Sequence, residues 1–357
     1  MSLLALQVHH LRNLRELSIQ PSSRFNLVCG DNGSGKTSLL EAIYILGRAK
    51  SFRTRHLKQA ITFQQNSTLI WGKTPHNVSM GLEFNREGRA SIRINEHTVK
   101  QSSELASYLP LLFMGTESSR LLSSGSRQRR RCLDWGVFHV EHRFFNHWQR
   151  FNRALKQRNS ALRQASKNGA TAWHYELAEN AQALDECRKR YLQQLQPLFE
   201  VYVERLLGDS FNLKIIRYER GWSSDKDYFE LLESNFESDR QMGFTQRGPH
   251  RADINVYTEG GVLTTHASGG QLKLVTTALF LAQVALLSQM TGRQTVLLID
   301  DLPAELDQAH RRLFIELLIE LDSQLFITAT DSELIDHSGF SDKKMFHVEQ
   351  GKVRVLE

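Results

Sequence analysis

The chain has 357 residues, enough for two domains or one large one. With 24% charged and 40% hydrophobic residues it has a globular composition. Its net charge of +6 and pI near 9.2 admit nucleic acid or an acidic surface as a partner without demanding either. Three cysteines at unrelated spacings, Cys29, Cys132 and Cys187, form no zinc-type pair and fit a reducing compartment.

At the start, MSLLALQVHHLRNL has neither the basic opening nor the long apolar core of a secretory signal, and the expected location is the cytoplasm. Next, Phe25-Asn26-Leu27-Val28-Cys29 is a short β-prone run, and residues 38–46 place apolar side chains around an amphipathic helix. Between them stands CGDNGSGKTS, in which Gly30, Gly35, Lys36 and Thr37 satisfy the phosphate-loop pattern of Gly, four residues, Gly-Lys-Thr. The strand before it and the helix after it are the context that this motif requires. Gly30, Asp31, Asn32, Gly33, Ser34, Gly35, Lys36, Thr37 and Ser38 are therefore the expected triphosphate-binding residues. Glycines let successive N–H groups turn inward around an anion at a helix N-terminus, where the dipole favours negative charge. Lys36 reaches the outer phosphates, and the Thr37 hydroxyl is a magnesium ligand.

Short strand-like runs at 68–71, 78–83 and 90–94 predict a β-meander. From about residue 141 the period changes. Phe144, Trp148, Phe151, Leu155 and Leu162 make one helical stripe. After the turn Ser166-Lys167-Asn168-Gly169 a second stripe runs Leu177, Ala181, Leu184, Tyr191, Leu195, Leu198, Tyr202. Arg188 interrupts that seam and Pro197 is a site for a kink. Together they predict an antiparallel helical hairpin inserted into the chain.

Across 120–163, eleven Arg or Lys residues face only Asp134 and Glu141. Arg127, Arg129, Arg130, Arg131, Arg150, Arg153 and Lys156 are the candidate DNA contacts, with Arg158 and Arg163 on the same expected helix face. The plainer reading of such a run is a solvated face. Phe144, Phe145, Trp148 and Phe151 among these charges suit either base stacking or the hairpin core, and their spacing favours the core. His139, His142 and His147 lack metal-site spacing and read as polar surface.

From about 245 strands and helices alternate again, which predicts a parallel sheet split around the insertion: residues 1–113, the helical lobe 114–245, and 246–357. The apolar run 274–290 is interrupted by Thr276, Thr277, Gln283, Ser288 and Gln289 and reads as a buried helix, not a bilayer span. Immediately before it, Ala267-Ser268-Gly269-Gly270-Gln271 resembles the signature of ABC ATPases. Ser268 is expected to cap that helix, leaving the Gly269 and Gly270 amides open to an anion. One chain has no need of two such termini for one γ-phosphate; two chains do, if each signature, Ser268, Gly269, Gly270 and Gln271, completes the other's phosphate loop. The strand at 295–300 ends in Asp300, suited to magnesium, and Asp301, suited to polarising water. A D-loop resemblance follows at Pro303-Ala304-Glu305-Leu306-Asp307, then a helix over 310–322 and a strand over 324–328. The expected fold is α/β: an ABC-type P-loop ATPase head with an inserted helical hairpin lobe, binding ATP and Mg2+ and dimerising on ATP.

Four further stretches carry a full-length resemblance to the RecF family: Leu11-Arg12-Asn13-Leu14, Ser51-Phe52-Arg53-Thr54, Arg129-Arg130-Arg131-Cys132-Leu133-Asp134-Trp135 and Arg247-Gly248-Pro249-His250-Arg251-Ala252-Asp253. The resemblance implies kinship with SMC heads and a weak, DNA-stimulated ATPase of recombinational gap repair. Its ATP-bound homodimer would clamp DNA, single- and double-stranded at gaps, and help to load recombinase with the partners RecO and RecR. Asp301 stands where most ABC ATPases carry glutamate, which implies slow hydrolysis. Ala329-Thr330-Asp331 replaces a switch histidine, and Glu117 in Met114-Gly115-Thr116-Glu117 is the Q-loop candidate. A small-molecule phosphotransferase is the rival reading, disfavoured because it needs no second phosphate-binding helix; another SMC-like head would carry a far longer coiled coil.

Overall fold

The computed structural model describes residues 2–356 apart from 165, 209, 210 and 224, with 117, 119 and 214 described by backbone alone. The chain divides into two compact units, residues 1–119 with 287–357, and residues 120–286. The first unit opens with β1 (Ala5–Leu11), β2 (Leu14–Ile19), β3 (Phe25–Cys29), α1 (Lys36–Arg48), β4 (Ser67–Lys73), β5 (Ser79–Asn85), β6 (Ala90–Ile94), β7 (His97–Val99), α2 (Ser102–Tyr108), β8 (Leu111–Met114) and α3 (Thr116–Ser119). The second holds α4 (Ser126–Val140), α5 (Phe144–Arg163), α6 (Lys167–Thr171), α7 (His174–Leu207), β9 (Leu213–Glu219), α8 (Tyr228–Ser234), α9 (Phe236–Met242), β10 (Asp253–Thr258), β11 (Gly261–Val262) and the start of α10 (Gly269–Thr291). The first unit resumes with the end of α10, then β12 (Thr295–Ile299), α11 (Leu302–Glu305), α12 (Gln308–Glu320), β13 (Ser323–Ala329), β14 (Lys343–Glu349) and β15 (Lys352–Leu356).

Two six-stranded sheets build the first unit. One is the expected meander extended by the N-terminal hairpin, in the order β2-β1-β4-β5-β6-β7. The other has the order β15-β14-β3-β13-β12-β8, with β3 paired in parallel to β13 and β14. Strands β3, β12 and β13 are buried at every residue, the mark of parallel strands covered on both faces. Leu39, Leu40, Ile43 and Leu46 of α1 pack into one core with Leu6, Val8, Ile70 and Leu82 from the meander and Val28, Leu298 and Phe326 from the second sheet. This core fixes the start of α1, and with it the phosphate loop, against two sheets.

In the second unit α5 packs against α7 as the two helices of the expected hairpin, with His147 Nδ1 meeting Asn180 Oδ1 at 3.0 Å, while Leu162 near the end of α5 packs by Ala170 of α6. Phe144 and Phe151 are buried and Trp148 is 39% exposed, so the stripe is chiefly hairpin core. Helix α7 runs unbroken through Pro197. Arg188 does not weaken the seam, because its guanidinium pairs with both Asp134 oxygens at 2.8 and 3.0 Å and donates to the Pro249 carbonyl. His139 departs from expectation: it is buried between the rings of Trp135 and Phe138.

The unit boundaries also differ from the expected cuts at 113 and 245. Strand β10 pairs antiparallel with β9, Asp253 opposite Glu219, which draws the segment after 245 into the second unit together with Ser268 and the first half of α10. The Gly-Pro-His-Arg stretch is the hub of this arrangement. A Cβ on Gly248, at φ 132, would fall 2.0 Å from the Tyr228 hydroxyl, and His250 Nε2 meets the Thr245 carbonyl at 2.9 Å. Helix α10 is buried from Leu274 to Leu287, while Gln289 and Met290 at the end of the expected buried run are exposed, and the Thr276 and Thr277 hydroxyls return to the carbonyls one turn earlier, at 2.7 and 2.9 Å.

Arg158, wholly buried, donates to Asp239 at 2.7 Å and Thr245 at 2.6 Å, so Arg158→Ala strands a buried carboxylate and is expected to cost about 3–5 kcal/mol in urea unfolding. Burial holds His174 and His250 down at about 4, aided at His174 by Arg158. The unfolded chain therefore binds more protons between the ordinary value of 6.5 and about 4, and stability falls as pH is lowered through that window. Urea midpoints that stay level from pH 7 to pH 4 would contradict this assignment.

Candidate nucleotide-binding site

The loop between β3 and α1 bends on three glycines at positive φ: Gly30, Gly33 and Gly35. A Cβ on Gly30 would lie 2.2 Å from the Val348 carbonyl of β14, so the close approach of that strand admits only glycine. Lys36 is 8% exposed, and its Nζ donates to the Gly30 and Asp31 carbonyls at 2.6 and 3.0 Å, which places the ammonium inside the curl. Asp31, Asn32 and Gly33 form the exposed rim; Gly35 and Ser38 are buried, and the Ser34 Oγ is a buried polar atom with no partner. Such an orphan, beside an enclosed cation and a helix N-terminus, fits a phosphate group.

Three elements brace this loop. Asn13, in the β1–β2 turn, donates to the Ser34 carbonyl at 2.9 Å, and the Gly351 N–H in the β14–β15 turn donates to the same oxygen at 2.8 Å. One turn into α1, the fully buried Glu41 accepts from Arg12 Nε and Nη2, both at 2.9 Å, from Ser51 at 2.5 Å and from Arg53 at 3.4 Å. The Arg12-Asn13 and Ser51-Phe52-Arg53 stretches thus converge on α1, a role that only the fold reveals.

At the tip of β12 the Thr37 hydroxyl lies 3.1 Å from both Asp300 oxygens. A hydroxyl and a carboxylate are hard oxygen donors, the set that suits magnesium. Burial pushes the Asp300 carboxyl up, while hydrogen bonds from Thr328 and Thr37 pull it down. Asp301 is exposed, in left-handed conformation at φ 51, ψ 53, and heads α11. Asp307 caps α12, accepting from His310 N–H at 3.0 Å, and its other oxygen meets His310 Nδ1 at 2.6 Å. The side chain of Glu117 lies outside the described residues. Cys29, next to the loop, is pushed up to about 11 by burial and by Asp331 and stays a neutral thiol.

In the second unit Ser268, Gly269 and Gly270 are exposed at the head of α10. Ser268 Oγ accepts from Gln271 N–H at 3.2 Å while Gln271 Oε1 accepts from Ser268 N–H at 2.9 Å, a reciprocal capping box. The expected cap is present, and Gln271 is occupied in making it.

A family model described as the RecF/RecN/SMC N terminal domain matches residues 2–354. Across its whole length the chain is 43% identical to the DNA replication and repair protein RecF of Stutzerimonas stutzeri, covering 98% of that protein. It is 42% identical to the protein of the same name from Pseudomonas fluorescens, over 99% of this chain and 98% of that one. The chain belongs to the RecF family. Its fold is that of the recombination mediator protein RecF-ATP in the RecFOR pathway, with a TM-score of 0.88 at 23% identity, covering 100% of this chain and 98% of the other. A more distant likeness links it to the Smc head domain of Pyrococcus yayanosii, with a TM-score of 0.60 at 13% identity over 100% of this chain and 97% of that one.

Of the basic residues in this RecF-family chain, Arg127, Arg131, Arg150, Arg153 and Lys156 are exposed. Arg129 and Arg130 are not open contacts. Arg129 pairs with both Asp253 oxygens, at 2.9 and 2.6 Å, and so pins α4 to the first residue of β10, while Arg130 donates to the carbonyl of Ala252 just before it. Arg158 is withdrawn into the core. Thr328, which sequence reasoning passed over, binds both members of the acidic pair. A threonine in an apolar strand signals only β-propensity.

Proposed function

We propose that this RecF-family chain is an ATP-dependent DNA-binding protein of recombinational gap repair, working in the cytoplasm as a dimer closed by ATP and opened by slow hydrolysis. The observation that carries the reading is the division of the nucleotide machinery. Loop, Lys36, Thr37 and Asp300 converge within one unit, while the open amides of the signature stand at a separate helix terminus. A second copy of the chain completes each site. The relatives' name, DNA replication and repair protein, and the RecFOR pathway of the structural relatives support DNA as the substrate surface and RecO and RecR as partners.

Lys36 neutralises the outer phosphates and the loop amides hold their oxygens. Thr37 and Asp300 would hold magnesium, which when bound offsets phosphate charge. Asp301 accepts a proton from the attacking water. Its short side chain reaches less far than a glutamate, in keeping with slow turnover and a weak, DNA-stimulated ATPase.

Exposed cations on α5 supply sequence-independent affinity. Replacing Arg150, Arg153 and Lys156 by Ala is expected to reduce the slope of log affinity against log salt by ~2–3, at roughly 0.9 per phosphate contact, without loss of stability. Arg129→Ala should do the reverse, lowering stability through its lost pair with Asp253. Fluorescence anisotropy on a gapped duplex across a salt series reads the first effect; an unchanged slope in the triple variant removes α5 from the DNA interface.

A further inference from the structure

Thr328, the penultimate residue of the buried strand β13, has no exposed surface, and its hydroxyl makes two bonds at once. It donates to Asp300 Oδ1 at 2.8 Å and accepts the Asp301 N–H at 2.7 Å. A hydroxyl offers one hydrogen and two lone pairs, so a single atom serves the donor need of one carboxylate and the acceptor need of the next backbone amide. The ladder explains the placement. Ile299 is in register with Ile327, so Thr328 stands opposite Asp300 where β12 stops. On the other side of β12, the Asp300 N–H still donates to the Met114 carbonyl at 2.8 Å, and one residue later Asp301 turns left-handed. That conformation is uncommon for a residue other than glycine, and a buried acceptor for its N–H is a direct way to hold it.

We propose that Thr328 is the positioning residue of the acidic pair: through Asp300 Oδ1 it sets the carboxylate against Thr37, and through the Asp301 N–H it fixes the bend that presents Asp301. The inference rests on the nucleotide-binding reading above. Thr328 acts through the two aspartates.

The test compares Thr328→Val, which keeps the shape and removes the hydroxyl, with Thr328→Ser, which keeps the hydroxyl. Binding of a fluorescent ATP analogue is titrated in EDTA and in Mg2+, and steady-state hydrolysis is measured beside it. Thr328→Val should match the wild type in EDTA but lose about tenfold or more of the tightening by Mg2+, the factor carried by a hydrogen bond to a charged group. Its kcat should fall at least as far, and because slow turnover makes KM follow affinity, KM in Mg2+ should rise by the same factor. Thr328→Ser should restore both. Should Thr328→Val fail to fold, Thr328→Ala against Thr328→Ser isolates the same hydroxyl, since both lack the methyl. A Val or Ala variant that tightens with Mg2+ and turns over like the wild type overturns the proposal, as does a Ser variant as impaired as Ala. Wild-type protein whose nucleotide affinity ignores Mg2+ overturns the underlying reading first, before any variant is compared.

Discussion

Asp301→Asn is expected to bind ATP, close the dimer and stay on DNA, while hydrolysis falls by the ~10²–10⁴-fold typical of a lost general base. The substitution keeps size and hydrogen bonding and removes the charge that draws the water's proton. Asp301 is exposed and its backbone is held by Thr328, so the bend survives the change. Asp300→Asn should behave differently, because it alters the carboxylate 3.1 Å from the Thr37 hydroxyl and so loses magnesium and closure together. Dissociation of a labelled gapped duplex after an ATP chase, read beside phosphate release, separates the two. If Asp301→Asn leaves DNA as fast as wild type while hydrolysing nothing, hydrolysis is not the release step.

The second large effect comes from splitting the composite site. Ser268→Arg sets a bulky cation at the exposed head of α10, where a partner's γ-phosphate would dock, and breaks a cap worth ~1 kcal/mol. ATP binding to its own loop should persist and dimerisation should fail. Lys36→Ala removes the ammonium from the loop and should weaken ATP binding and abolish dimerisation on its own. In a mixture, the intact loop of the Ser268→Arg chain faces the intact signature of the Lys36→Ala chain, and hydrolysis should reappear at one of the two sites. A mixture as silent as its components rules out a site shared in this way.

What the sequence disclosed and what it hid divide along the range of the interactions. The phosphate loop, the acidic pair and the signature were legible because each is a short run whose chemistry demands those residues in that order. Helix and strand periods likewise located the hairpin and the meander, since burial on one face repeats locally. Arg129 and Arg130 were not separable from Arg131, because the carboxylate and carbonyl that claim them, Asp253 and Ala252, lie more than a hundred residues away. The boundary at 286 was hidden for the same reason: β10 reads as another strand of an alternating core, and its pairing with β9 is a property of the fold. Glu41, in the helix after the phosphate loop, carries no sequence signal of its own, and only the convergence of Arg12, Ser51 and Arg53 shows why a buried carboxylate is stable there.

In the proposed mechanism ATP joins two copies of this chain, and DNA is held by the joined form. Sedimentation velocity of the protein alone, with ATP and Mg2+, and with ATP, Mg2+ and a gapped duplex measures it directly. The expected outcome is a monomer without nucleotide, a shift to dimer with ATP, and a dimer–DNA species absent when ATP is omitted or Lys36 is replaced by Ala. A chain that stays monomeric with ATP and binds the duplex equally well without it would rule out an ATP-closed dimer as the form that holds DNA.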